Sequence, residues 1–189
     1  MFPPQVQSVL DKVDRLRDQV DDHYQVAREE AMLLAQLVRI GRCVSICEVG
    51  TSYGFSTLHL AAAALENGGH VHSFEIDPKK VAAATQHLRE AGLADAVTLH
   101  HGDARERLKT LKPRLPFDFL FIDAVKDQSR EYLGAAWPHL AERCVLVTDN
   151  TITHAEQLAS FLAHLRSLPH VASCGVSVGD GFELTVKRG

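Results

Sequence analysis

From residue 43 onward the chain alternates short, almost unbroken apolar runs with longer amphipathic stretches. The apolar runs are "CVSICEV" (43–49), "HVHSFEI" (70–76), "AVTLHH" (96–101), "FDFLFI" (117–122) and "RCVLVTD" (143–149). Helical patterns follow each of them: "FSTLHLAAAALE" (55–66), "KKVAAATQHLREA" after Pro78, "ARERLKTL" (104–111), "QSREYLGAAWPHL" (128–140) and "HAEQLASFLAHLRSL" (154–168). A strand wetted on one face alternates in polarity, whereas one that is apolar throughout is covered on both faces. Strands and helices repeating in this order predict a parallel sheet with helices on both sides. Pro78 suits a first helical turn, and Pro138 disturbs a last one. "VASCGVSV" and "FELTVKR" flank Gly179-Asp180-Gly181 and read as a terminal hairpin that adds one antiparallel strand. The expected fold class is α/β: a doubly wound, mostly parallel sheet of seven strands.

Residues 5–41 carry helical patterns alone. Val6, Val9, Val13, Leu16 and Val20 form an apolar stripe at alternating spacings of three and four. Such a stripe packs on its own domain or pairs with a second copy, and a homodimer is the expectation attached to the latter. At 189 residues the chain suits one domain, with residues 1–41 as a helical segment and 42–189 as the α/β core. A net charge of −4 with 46% apolar residues argues against disorder and against a nucleic-acid footprint. The sequence has no membrane-length apolar run and no secretory leader pattern. Cys43, Cys47, Cys144 and Cys174 lie in strand-like runs without a C-x-x-C pair, which predicts buried, reduced thiols and a cytoplasmic location. No H-x-x-x-H pair suggests a histidine zinc site.

Ligands of open doubly wound sheets sit beyond the carboxyl ends of the strands. Those ends carry Glu48 with Gly50, Glu75 with Asp77, Gly102 with Asp103, Asp123, and Asp149 with Asn150. So acidic a rim disfavours a pyrophosphate and suits a cationic ligand, a ribose or a metal ion. In "CEVGTSYGFS", Gly50 and Gly54 form G-x-x-x-G rather than G-x-G-x-x-G. Glycines there let the backbone approach a ligand, or only make a tight turn. Glu75, at the end of the next strand, can accept both hydroxyls of a ribose.

"EVGTSYGFSTLHLA", "FEID", "FDFLFIDAVK", "VLVTDN" and "VGDGFELTVKR" together resemble the class I S-adenosylmethionine-dependent O-methyltransferases of the catechol and caffeoyl-CoA type. The likeness runs over roughly residues 28–188, in the same order. It implies that Gly50, Ser52 and Ser56, in the turn that includes Gly54, line the methionine part of the cofactor. It further implies that Glu75 holds the ribose, that Gly102, Asp103 and Ala104 form the adenine edge, and that Glu48 helps hold the cofactor's amino group. The rim agrees, since this cofactor carries a sulfonium and an ammonium but no phosphate.

Asp123 and Asp149 end two strands separated by one helix, and in a right-handed crossover those strands can be neighbours. Two carboxylates and the Asn150 amide oxygen are hard ligands suited to Mg²⁺ or Mn²⁺. The resembling family uses these three positions for Mg²⁺, places Asp123 beside the cofactor as well, and lets two vicinal oxygens of a small acceptor complete the sphere. It makes the lysine at the position of Lys126 the general base. Blander roles exist: Asp149 as a helix cap, Asn150 as a turn residue, Lys126 as a solvated charge. The chain departs from the family pattern at Val125, where an acid is common, and at Ala31, where a glycine is common. The stretch after Asn150 is also short. The corresponding expectation is a more open acceptor site, or one walled by a partner subunit or by the N-terminal helices at Glu30, Ala31 and Met32, with His154 either near substrate or a solvated first-turn residue. The expected function is a Mg²⁺-dependent O-methyltransferase for a phenolic or other vicinal-oxygen acceptor. A metal-independent methyltransferase and a cofactor-binding module without turnover are the alternatives.

Overall fold

The apolar runs do form strands, and their order places every strand end just discussed. In the computed structural model, which describes residues 2–22 and 24–188, the helices are α1 (Pro4–Asp14), α2 (Arg28–Gly41), α3 (Phe55–Glu66), α4 (Pro78–Glu90), α5 (Ala104–Thr110), α6 (Ser129–Ala136) and α7 (Ala155–Ser167). The strands are β1 (Ser45–Val49), β2 (His70–Glu75), β3 (Val97–His101), β4 (Phe117–Ile122), β5 (Leu140–Thr148), β6 (Val171–Val176) and β7 (Phe182–Lys187). They make one seven-stranded sheet in the order β3-β2-β1-β4-β5-β7-β6. Strands β1 to β5 are mutually parallel, and β7 runs antiparallel to both β5 and β6. Six strands therefore share one direction and β7 opposes them. This is the doubly wound, mostly parallel fold expected of the sequence, with its one reversed strand near the C-terminus.

Alternating side chains feed two cores. Ile46, Phe119 and Phe121 enter the cluster shared with α1, α2 and α3. Cys47, Val49, Leu120 and Ile122 enter the one shared with α5, α6 and α7. Phe117 breaks the alternation, where the register of β4 against β5 shifts between Phe117 and Phe119.

Several boundaries differ from the pattern. The helix expected over 128–140 stops at Ala136, and a 3-10 turn covers Trp137–His139. Pro138 has no N–H to continue the α-helical ladder, so β5 begins early, at Leu140. The N-terminal region is not helical throughout. A 3-10 turn, Arg15–Asp18, follows α1, and the described residues between it and α2, 19–22 and 24–27, have no regular structure. Val6, Val9 and Val13 are buried within the chain, where α1 packs on α3 and α4. These three are packed internally, while Leu16 and Val20 lie beyond the end of α1 and are half-buried. Cys43, Cys47 and Cys144 are buried free thiols, but Cys174 is exposed because it lies on the edge strand β6. Among the described residues no helix is long and apolar enough to cross a membrane.

Candidate functional site

Strand order reverses between β1 and β4, and there a cleft of about 960 Å³ opens at the carboxyl ends. The chain packs tightly at the reversal. A Cβ on Gly50, whose φ is +102°, would lie 1.9 Å from the Asp123 carbonyl oxygen. Only glycine lets the turn after β1 pass so close to the end of β4. Ser52 follows with a φ of 48°, a conformation rarely adopted by a residue with a side chain.

On one side of the cleft stands Glu75. Its carboxylate accepts the backbone N–H of Ser52 at 2.8 Å and of Asp77 at 2.9 Å. Two fixed donors hold the group, and its remaining lone pairs stay available to a ligand. Gly102, Asp103 and Ala104 line the same side. Asp103 caps α5 by accepting the Arg105 N–H, and its ion pair with the Arg105 guanidinium holds its pKa below the usual carboxylate range. Among the described residues, two buried side-chain polar atoms lack a partner, Ser52 Oγ and Gln25 Oε1, and both residues line this cleft. Buried polar atoms are almost always satisfied, so these two have bonding capacity left for a polar ligand or an ordered water.

On the other side β4 and β5 are parallel neighbours, with Ile122 opposite Thr148. The next residues, Asp123 and Asp149, therefore face the same space. Asp149 is 1% exposed. Burial, then the charges of Asp123 and Glu30, push its pKa up to about 9, against the Asn150 N–H it accepts at 2.7 Å and the nearby Lys126 ammonium. Lys126 Nζ lies 2.8 Å from Asp123 Oδ1. Asn150 takes a left-handed conformation, φ 65°, which asparagine tolerates better than most residues. Asp149 does not cap α7; His154 holds the N-cap position, with no side-chain capping bond. Among the described residues no three His, Cys, Asp or Glu side chains are arranged around a metal position. A third protein ligand beside Asp123 and Asp149 would have to be the Asn150 amide. Two crowded carboxylates, one of them buried, next to an amide oxygen form a hard-oxygen set that suits Mg²⁺ or Mn²⁺.

The structure thus brings Gly50, Ser52, Glu75, Gly102, Asp103, Ala104, Asp123, Lys126, Asp149 and Asn150 to one cleft. Glu48, Gly54 and Ser56 lie behind it. Glu48 is fully buried and accepts hydroxyl hydrogen bonds from Ser56, Thr57 and Ser73 at 2.5–2.6 Å. Burial pushes its pKa up to about 7 in spite of those donors. Its carboxylate ties β1, α3 and β2 together below the cleft floor. Met32 is 52% exposed and lines a separate, smaller cavity, while Glu30 and Ala31 are buried outside the cleft. The N-terminal wall is instead formed by Tyr24 and Gln25. No pattern points to this, because residues 19–27 have neither periodicity nor motif. They are held over α4 by Asp22, whose carbonyl accepts Lys80 Nζ at 2.9 Å and whose carboxylate accepts the Tyr53 hydroxyl at 2.9 Å. His154 lines the cleft and is exposed.

The sequence matches a family model described as a methyltransferase domain over residues 47–151. It is 35% identical over 127 residues to a catechol O-methyltransferase of Mycobacterium tuberculosis, covering 67% of this chain and 57% of that protein. It is 33% identical over 135 residues to a catechol O-methyltransferase of Niastella koreensis, covering 70% of this chain and 61% of that one. The matched segments thus span less than two thirds of both relatives. The fold superposes on the crystal structure of an O-methyltransferase from Bacillus cereus in complex with SAH, with a TM-score of 0.86, 27% identity, and coverage of 96% of this chain and 91% of that one. With more than half of its length matched, the chain belongs to the methyltransferase domain family and carries the class I methyltransferase fold.

Proposed function

We propose that the chain is an S-adenosylmethionine-dependent O-methyltransferase acting on a small phenolic or other acceptor with two adjacent oxygens, with Mg²⁺ or Mn²⁺ at Asp123, Asp149 and Asn150. One observation carries this reading: a single cleft holds a carboxylate and two orphaned polar atoms on one side and a crowded pair of carboxylates with a lysine on the other. The similarity to an SAH-bound O-methyltransferase and to catechol O-methyltransferases supports it.

The cofactor supplies a methyl group made electrophilic by a sulfonium. Glu75, fixed by the Ser52 and Asp77 amides, accepts the ribose hydroxyls. Gln25 Oε1 and Ser52 Oγ receive polar atoms of the methionine portion. Glu48 acts from behind, by fixing the turn between β1 and α3 through Ser56 and Thr57. A divalent cation would supply Lewis acidity that favours the deprotonated acceptor oxygen. Lys126 Nζ is the proton-handling atom beside that oxygen. Beside Asp123, an amine at this atom would take the hydroxyl proton and an ammonium would stabilise the oxyanion. Bound there, the cofactor would supply its methyl group to the acceptor oxygen, with the carbon–sulfur electron pair left on sulfur. Holding these atoms in line is the main work of the cleft. We place the reaction in the cytoplasm, in keeping with the free thiols Cys43, Cys47, Cys144 and Cys174.

The test is transfer of a labelled methyl group from S-adenosylmethionine to catechol and related acceptors, with Mg²⁺ and with a chelator. Metal-dependent product is expected. Turnover that survives complete metal removal would overturn the metal assignment, and cofactor binding without turnover of any acceptor would overturn the enzymatic one.

A further inference from the structure

Glu30 is a fully buried carboxylate outside the cleft, and backbone amides of Ala27 and Gly181 donate hydrogen bonds to it. Its Oε2 accepts the Ala27 N–H at 2.8 Å, closing the first turn of α2. Its Oε1 accepts the Gly181 N–H at 3.1 Å, across 151 residues of sequence. Burial raises its pKa, and the amides of Ala27, Asp180 and Gly181 oppose that rise.

The far end of this contact is the turn Gly179-Asp180-Gly181 between β6 and β7. The turn is moulded to the carboxylate, since a Cβ on Gly179 would lie 2.6 Å from Glu30 Cδ. The same turn holds the segment that follows Asp149 and Asn150. Gly181 O accepts the Thr151 N–H at 3.0 Å, and Asp180 O accepts the N–H groups of Ile152 at 2.9 Å and Thr153 at 3.3 Å. On its other face, a Cβ on Gly181 would lie 2.6 Å from Ile152 Cγ1. An unbroken chain of contacts therefore runs from α2 through Glu30 and the β6–β7 turn to the loop beginning at Asn150. That loop is short and has no regular structure of its own before α7.

We propose that Glu30 is a positioning residue: by clamping the β6–β7 turn to the start of α2, it fixes the loop whose first members, Asp149 and Asn150, are assigned above to the divalent cation. The inference rests on that assignment. Burying a carboxylate is costly unless it is fully hydrogen-bonded, and helix capping alone is done as well by groups that stay in water. A long-range contact to a turn at the cleft is the part of its role that capping does not explain. Residues supporting metal ligands from behind commonly tune affinity by about 10–100-fold.

The test is a Mn²⁺ titration of the purified full chain by electron paramagnetic resonance, for wild type, Glu30→Gln and Glu30→Ala. Affinity for S-adenosylhomocysteine and the melting temperature are measured alongside. Glu30→Gln keeps shape and one acceptor oxygen, so it guards against the alanine variant failing to fold. The expected result is a Mn²⁺ half-saturation raised about tenfold or more in Glu30→Ala and about threefold in Glu30→Gln, with S-adenosylhomocysteine affinity within about twofold of wild type in both. Unchanged Mn²⁺ binding in the variant that folds would overturn the proposal. So would parallel losses of Mn²⁺ and S-adenosylhomocysteine binding, which mark a general structural role. Absence of Mn²⁺ binding by the wild type would instead overturn the metal assignment itself.

Discussion

Gly50, Asp149 and Lys126 show how one residue type meets one local demand. Gly50 lies under the Asp123 carbonyl at a positive φ, so Gly50→Ala must displace the end of β4. A loss of on the order of 2–4 kcal/mol is expected in chemical denaturation, with cofactor binding lost as well. Asp149 has the opposite problem, a carboxyl that burial and Asp123 keep protonated up to about pH 9 when no cation is present. Its ordinary value is 3.8, so the folded state holds one proton more than the unfolded state between these limits. That contribution to stability is complete below about pH 4 and is lost as pH rises toward 9. The melting temperature of metal-free protein should therefore fall over this window, and Mg²⁺ should restore it. Asp149→Asn should flatten both responses. Lys126→Met removes the proton-handling group and should lower kcat by about 10²–10⁴-fold with cofactor affinity unchanged. The acids at strand ends were legible from sequence, because strands that are apolar throughout do not end in carboxylates without a polar neighbour to meet. The distinction between Glu48, sealed by three hydroxyl donors, and Glu75, open to the cleft, was not legible. Both end strands beside the same turn, and only packing tells them apart.

At the scale of elements, the strand-and-helix pattern from residue 43 reads directly into β1 to β5 because each period matches a buried or half-buried environment. The segment before residue 43 reads less well. The stripe of α1 allowed a dimer helix or an internal one, and nothing in its spacing separates the two. The structure buries Val9 and Val13 against α3 and α4. If α1 belongs to the same folding unit as the sheet, Val13→Asp should lower the melting temperature by the same amount at every protein concentration, and unfolding should remain a single transition. An element that served a dimer would instead show a concentration-dependent loss. The segment between α1 and α2 is the larger surprise. Tyr24 and Gln25 wall the cleft because Asp22 beside them binds Lys80 and Tyr53, Lys80 Nζ lies over the Tyr24 ring, and Gln25 donates to the Val13 carbonyl, contacts that no local pattern encodes.

At the scale of the molecule, the sheet order sets two kinds of chemistry side by side. The reversal between β1 and β4 opens the cleft, the ends of β2 and β3 carry Glu75, Gly102 and Asp103, the groups proposed for the nucleoside, to one side, and β4 and β5 carry hard oxygens to the other. The connection from Asn150 to α7 is short, and the β6–β7 turn holds it through the N–H groups of Thr151, Ile152 and Thr153. The central claim is that Asp123, Asp149 and Asn150 surround one divalent cation beside the methyl donor. The most direct measurement is a crystal structure with Mn²⁺ and S-adenosylhomocysteine, the metal located by its anomalous scattering. The account predicts one strong peak about 2.0–2.3 Å from oxygens of all three side chains, with the cofactor sulfur in the same cleft. A peak elsewhere, or a cofactor bound with these three side chains turned apart and no metal between them, would contradict it.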